Sequence, residues 1–529
     1  MGAHRTRSVR RPAIPADPVR PPDLVRPPDS VRPPDSVRPA DPVAAAPEPV
    51  SGDRQAGPVP GVDSVPVLVV GAGPAGLVAG LTLARYGVEV LVAEKRRVIS
   101  TLSRALVVST RSMEILRSWG LEEGIRAASA DVEPRGWVTS TLTSDDGQPM
   151  SLGHPMHEHA ARISPTRPAW VSQDQVEQLM LARLHAAPGA RIHFGLELVG
   201  FRPAMDGVRT VLRDVVSGRR REVMAGYVVA ADGARSLVRT ALGIGMSGPG
   251  NVGEYQAVDF RAPLTPLLGD RSFGLALITH PEARGILARR GAGDLWHYGT
   301  PAHAGVPRLA DRCEADLAAL IATAAGVPGL RPEVVRLSSY VFAAEIADRY
   351  TEGRVFLAGD AAHRMTPRGA TGMNTAIQDA YDLAWKLGWV LRGWADPDLL
   401  DTYEPERRPV GEHNVVRSAD PNGASMRWED ALSWDIGGRL AHCWLDHQGR
   451  RVSTLDLLDD GLTLLTGSDG PGEQVAADLD TRVPLTRHLL AEPVARALGI
   501  PPGGAVLVRP DGKPYLRRLP GRSGVVSPA

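Results

Sequence analysis

Cysteine is almost absent: the sequence holds only Cys313 and Cys443, with no CxxC pair and no Cys/His finger spacing. That argues against a disulfide framework and a structural zinc site, and a reducing cytoplasm is the expected setting. An excess of either charge is absent too, since Lys+Arg and Asp+Glu both number 60 and the formal net charge is zero. Binding a polyanion needs a concentrated basic surface that releases counterions, so nucleic acid is not an expected partner. No run of 18 apolar residues occurs, so no membrane-spanning helix is expected. Arg10-Arg11 lead into Pro12 and polar repeats rather than the apolar stretch of an export signal. A GxSxG elbow is also missing, which removes the usual α/β-hydrolase reading.

What is present begins with proline. Fifteen of the 46 prolines fall in the first 60 residues, where a six-residue unit recurs as VRPPDL from Val19, VRPPDS from Val25 and Val31, and VRPADP from Val37. Proline fixes φ and removes a donor, and few large apolar side chains accompany it, so residues 1–62 are expected to be a tail without helix or sheet. A docking motif is the sharper reading, but no residue there identifies a partner. The remaining chain exceeds one compact core, and two or three packed units are expected.

Residues 65–70, VPVLVV, form a continuous apolar run of the kind seen in strands covered on both faces. Gly71-Ala72-Gly73-Pro74-Ala75-Gly76 follows, then helical apolar spacing to Tyr86, a stop at Gly87, and a second strand ending at Glu94. Gly71 permits the tight turn, Gly73 lets a pyrophosphate approach the backbone, and Gly76 lets helix and strand pack closely. The helix N-terminus offers free N–H groups to the phosphates, and Glu94 stands where an adenosine ribose would sit. This motif does not distinguish NAD, NADP and FAD. A second match, Gly243 to Gly248, follows a helical stretch rather than a strand and reads as a connector.

Two further strand ends carry acids. Residues 228–231 lead into Asp232-Gly233-Ala234-Arg235-Ser236, and residues 355–358 into Gly359-Asp360-Ala361-Ala362-His363. Beyond Pro367 comes Arg368-Gly369-Ala370-Thr371-Gly372-Met373-Asn374, opening a long helix with amphipathic spacing. His154, His157 and His159 have neither HExxH nor i,i+4 spacing and read as a polar loop, so no metal is expected.

With GAGPAG, ADGARSLVR and GDAAHRMTPRGATGMNTAIQDA in this order, the chain resembles the single-component, class A flavoprotein aromatic hydroxylases, the p-hydroxybenzoate and phenol hydroxylase type. DLAWKL at Asp382, YEPERRP at Tyr403, Ser103 to Leu106 and Ser172-Gln173 extend the match. Segments around Arg439, Ser453, Leu464 and Val508 resemble the thioredoxin-like C-terminal domain of the phenol-hydroxylase branch, which includes aromatic polyketide hydroxylases. Lone Cys443 cannot perform dithiol chemistry, so that region is expected to pack or support a dimer.

The resemblance implies an α/β fold: a tail (1–62), a Rossmann-like FAD-binding domain in two parts (63–249 and 348–425), an inserted β-sheet substrate domain (250–347) and a thioredoxin-like domain (426–529). Gly71 through Gly76 would hold the FAD pyrophosphate, and Glu94 with Lys95 the adenosine end. Arg104 and Gln173 would lie along the diphosphate and ribityl chain. Asp360 would anchor the ribityl hydroxyls, and Asp232 would order the edge serving FAD and NADPH or NADH. Gly372, Met373 and Asn374 would sit against the isoalloxazine. Ala370 stands where the family has a second glycine, and His363 is expected in the fixed loop beside FAD. The implied reaction is NAD(P)H- and O2-dependent hydroxylation of a polycyclic aromatic, expected to be a polyketide, through a flavin C4a-hydroperoxide, by a monomer or homodimer. Baeyer–Villiger oxygenation and a flavin-binding scaffold are the alternatives, the WxWxIP motif usual in flavin-dependent halogenases is absent from this sequence, and no base is identified.

Overall fold

The computed structural model describes residues 64–102, 104–303, 306–423, 426–467 and 482–518. The proline-rich segment and Ser103 therefore lie outside the described residues.

Apolar runs become the central strands of a sheet covered on both faces. Ser64–Val70 sits in the middle, flanked on one side by Val90–Glu94 and Ala190–Phe194 and on the other by Arg220–Ala230 and Val355–Leu357, all parallel. This is the doubly wound dinucleotide-binding order, in which ligands meet the carboxyl ends of the strands. Antiparallel strands Leu196–Ala204, Gly207–Asp214 and Thr351–Glu352 extend the sheet. Val67, Leu68, Leu77, Val92, Val229 and Leu383 have no exposed surface, placing the core between the sheet and the helices Pro74–Arg85 and Gly372–Leu391.

The long helix departs from the amphipathic expectation. Asn374, Gln378, Asp379, Asp382 and Lys386 are buried along with its apolar residues. A helix enclosed all round keeps polar residues only where partners reach them. Here Arg407 donates to Asp379 at 2.8 Å, and Lys386 donates to Asp382 at 2.7 Å.

A second sheet runs in the order His363–Arg364, Glu333–Ala347, Met246–Arg261, Leu295–Pro301, Gly285–Arg289, Leu275–Ile278, Gly136–Thr139 and Gln148–Met150. All neighbours are antiparallel except Leu275–Ile278 with Gly136–Thr139. Helix Glu314–Ala325 covers one face, burying Leu317 and Ile321 among Val258, Phe260 and Trp296.

Near the C-terminus, strands lie in the order Leu485–Leu489, Leu462–Thr466, Ala505–Val508, Pro514–Arg518, the first pair parallel and the others antiparallel. That order and polarity are those of a thioredoxin-like sheet. Cys443 is a free thiol, and burial raises its pKa. Among the described residues, no helix is long and apolar enough to cross a membrane.

The three-histidine segment is not wholly a loop. His157–Ile163 forms a short helix whose first N–H is held by Glu133 at 2.9 Å, while His154 is buried and its pKa pushed down to about 3 by desolvation and by the Arg417 charge.

Candidate active site

The three glycine-and-acid motifs meet at the carboxyl edge of the parallel sheet. Gly71 has φ +102°, and a Cβ there would fall 2.3 Å from the Ala231 carbonyl oxygen, so the first motif is pressed against the second. Ala358 N–H donates to Ala230 O at 2.9 Å, joining the second to the third. A Cβ at Gly359 would lie 3.1 Å from both Ala75 and Ala376 Cβ, joining the third motif to both helices.

The glycines of the first motif have different reasons to be glycine. At Gly76 a Cβ would sit 1.9 Å from Gly71 O, so protein already fills that space. At Gly73 nothing lies within 4 Å of a built Cβ, so the space before it is open. Gly73 also caps Pro74–Arg85 without a side-chain hydrogen bond, leaving the first-turn N–H groups for a ligand. Ala72 and Ala75 are buried beside this opening. An anionic group on the open side of Gly73 meets a helix N-terminus and no competing side chain, and the geometry fits a pyrophosphate.

Glu94 is buried at the end of its strand, with Oε2 accepting Ala72 N–H and Oε1 accepting Arg96 N–H, each at 2.8 Å. The carboxylate thus clamps the glycine turn as well as marking the strand end. Lys95 and Arg104 are exposed. Gln173 opens the helix Gln173–His185; its N–H donates to Ala105 O at 2.9 Å and its Nε2 to Glu177 Oε1 at 2.7 Å. The sequence reading missed Glu177. It is buried, its other oxygen lacks a partner, and desolvation pushes its pKa up to about 7. Its position four residues after Gln173 on one helix face was the available signal.

Asp232 accepts Val238 N–H at 3.2 Å through Oδ2, while Oδ1 is buried without a partner. Burial raises its pKa against the pull of its hydrogen bonds. Asp360 is half-buried in the turn Gly359–Ala361. His363 is sealed from solvent, its Nε2 2.6 Å from Asp379 Oδ2, so it braces the interior. Asn374 spends its side chain on the backbone: Oδ1 accepts Ser109 N–H at 2.8 Å, and Nδ2 donates to Val107 O at 3.0 Å and Ala370 O at 2.8 Å. It fixes the loop opposite, so at Asn374 the main chain rather than the side chain is left to face a ligand. Ala370 adopts φ +51°, the left-handed conformation a glycine takes without strain.

The face of the second sheet opposite the helix Glu314–Ala325 turns toward this edge. Ala288 and Leu275 pack with Leu106, Val107, Trp170 and Ala370. Arg336 donates to Thr101 O and Oγ1, both at 2.9 Å, and Arg290 to Asp174 at 3.1 Å. On the same face Tyr255 stacks on Phe342 with centroids 3.7 Å apart, and Tyr340 stacks beside them. His297 and Asp259 meet there at 2.9 Å.

Comparison with known proteins agrees with this geometry. Residues 64–418 match the FAD binding domain family, and residues 434–513 the aromatic-ring hydroxylase C-terminal family. The chain is 36% identical over 516 residues to a putative polyketide hydroxylase of Streptomyces halstedii, covering 85% of this chain and 93% of that one. It is 36% identical over 513 residues to a tetracenomycin B2 monooxygenase-dioxygenase of Streptomyces olivaceus, covering 85% and 94%. A crystal structure of aklavinone-11 hydroxylase with FAD and aklavinone superposes with TM-score 0.76 at 32% identity, covering 86% of this chain and 95% of that one. Motifs, fold and relatives converge: the chain belongs to the FAD-dependent aromatic-ring hydroxylases and is a flavoprotein monooxygenase of their polyketide hydroxylase group.

Proposed function

We propose that this protein hydroxylates a polycyclic phenolic substrate of aromatic polyketide type, using NADPH or NADH and O2. The balance is ArH + NAD(P)H + H+ + O2 → ArOH + NAD(P)+ + H2O. The observation that carries this reading is the sheet face opposite the helix Glu314–Ala325, where Tyr255, Tyr340 and Phe342 form an aromatic wall next to the row that meets Leu106 and Ala370. The relatives support the substrate class: one acts on tetracenomycin B2 by name, and another binds aklavinone.

FAD, once reduced, supplies activated oxygen at its ring. The chain's own part is to bind, orient and exclude water. Gly73 and the N–H groups of the following helix would receive the pyrophosphate, while Glu94 holds that turn and meets the adenosine ribose. Lys95 and Arg104 would reach the cofactor from the surface, and Gln173 would line the ribityl chain, oriented by Glu177. Asp360 would take ribityl hydroxyls, and the unpartnered Oδ1 of Asp232 is a ready acceptor at the same edge. Backbone N–H groups at Gly372, Met373 and Asn374 open a 20-residue helix and would stabilise negative charge on the reduced ring. Stacking on the aromatic wall holds an extended arene in place and keeps water away.

The test is a panel of hydroxylated anthraquinones and naphthacenes incubated with FAD-loaded protein, NADPH or NADH and air. Substrate-stimulated NAD(P)H oxidation with a new phenolic carbon by NMR is the expected result. A lactone would instead establish Baeyer–Villiger insertion, and no stimulated oxygen uptake by any member would favour a non-catalytic scaffold.

A further inference from the structure

The register of the second sheet sets five residues in one row on one face: Leu275 opposite Ala288, Ala288 opposite His297, His297 opposite Asp259, Asp259 opposite Arg336. Directly paired residues in antiparallel strands share a face. Both ends of the row touch the same loop. Leu275 and Ala288 pack with Leu106 and Val107, and Arg336 donates to Thr101. His297, in the middle, therefore faces the segment that carries Arg104, between the aromatic wall and the sheet edge where the three motifs meet.

His297 is built as an oriented imidazole. Nδ1 lies 2.9 Å from Asp259 Oδ1, and the other Asp259 oxygen accepts from Arg290 Nη1 at 2.7 Å. Arg290 is itself held by Asp174 at 3.1 Å, next to Gln173. Burial pushes the Asp259 pKa up, but the hydrogen bond and charge of His297, with smaller help from Arg290 and Arg336, lower it overall. The carboxylate that also accepts from Arg290 thus draws the hydrogen to Nδ1 and leaves Nε2 as the acceptor. Among the described residues Nε2 has no hydrogen-bond partner. It lies over Gly299, where an added Cβ would come within 3.2 Å of both Nε2 and Ile286 Cγ1. Asp259, Arg290, Arg336 and Asp174 are the charged groups around it, Tyr255 and Tyr340 the phenols on the same face, and Arg104 stands on the loop opposite.

We infer that His297 is the general base that deprotonates the substrate phenol, with Asp259 as its positioning residue. The phenolic O–H bond breaks, the proton goes to His297 Nε2, and the electron pair stays on oxygen as phenolate. The Asp259 carboxylate balances the imidazolium that forms. A phenolate donates more electron density to its ring than a phenol, which is what an electrophilic oxygen needs. This assignment rests on the proposed hydroxylase function.

The probe is 1,8-dihydroxyanthraquinone, whose phenolate absorbs at longer wavelength than its phenol, bound to FAD-loaded protein across pH 5–9. Wild type is expected to bind it as phenolate near pH 7, with the ionised form lost at acid pH. His297→Gln should hold the same probe as phenol at pH 7, slow hydroxylation about 10²-fold, and recover as pH rises and the phenol ionises unaided. Asp259→Asn should give a smaller loss in the same direction. Flavin absorbance of each variant verifies that it folds and carries FAD. A His297→Gln protein with the wild-type spectrum and pH profile overturns the assignment, as does a wild type that keeps the bound probe a phenol. Phenolate formation by wild type without stimulated NAD(P)H oxidation overturns the proposed function instead, and a wild type that does not bind the probe counts against both.

Discussion

Lys386 Nζ lies 2.7 Å from Asp382 Oδ2, one turn earlier on the same helix, and its side chain has no exposed surface. The pair is part of a network rather than an isolated contact. Glu406 accepts from Lys386 at 3.2 Å, from Arg509 at 2.7 Å and from Lys513 at 2.8 Å, while Arg509 also meets Asp511. Asp382, Glu406 and Asp511 converge closely enough to suggest a metal site, but three cations already neutralise them. The network ties the long helix and the helix Tyr403–Ala419 to the C-terminal sheet. Lys386→Met takes from buried Asp382 its one hydrogen-bonded cation, leaving Arg509 at 4.0 Å, and should cost about 3 kcal/mol. Denaturant unfolding measures this, and the double change Asp382→Asn/Lys386→Met should cost less than the sum of the single changes.

Glu177 makes stability depend on pH. Its pKa is raised from 4.5 to about 7 by burial, so the carboxyl is more easily ionised in the unfolded chain. The contribution is intact below pH 4.5 and is lost as pH rises through 7. Glu177→Gln keeps the acceptor used by Gln173 and removes the ionisation. The variant should match wild type near pH 4 and exceed it at pH 8 by up to about 3 kcal/mol, read from paired urea melts.

Ala370 holds a left-handed backbone beside Gly369, in the loop that precedes the long helix. Ala370→Gly relieves this conformation and should stabilise the protein by up to about 1 kcal/mol, seen as a higher Tm. It also restores the second glycine of the family pattern, so FAD affinity should hold or improve in a flavin titration.

The parallel strands at residues 65–70, 228–231 and 355–358 were legible because strands buried on both faces read as unbroken apolar runs, each ending in glycine or an acid. The turn at Gly71 and the close packing at Gly76 were legible because each leaves a glycine. Other features were hidden because sequence separation conceals register. His297 and Asp259 stand 38 residues apart with no motif around either, and only antiparallel pairing sets them side by side. The long helix read as amphipathic because Arg407, Glu406 and Arg509, which make its buried polar face tolerable, come from elsewhere in the chain. His363 looked like a loop residue beside the cofactor because nothing nearby announces Asp379, sixteen positions later, as its partner.

The proposed function places the FAD pyrophosphate on the open side of Gly73 at the start of the helix Pro74–Arg85. Gly73→Ala tests it most directly, because an added methyl meets no protein atom within 4 Å and disturbs only what is bound there. Fluorescence titration with FAD should show apoprotein of wild-type Tm whose FAD affinity has fallen at least tenfold, about 1.4 kcal/mol. A Gly73→Ala protein that binds FAD as tightly as wild type would contradict the placement of the cofactor.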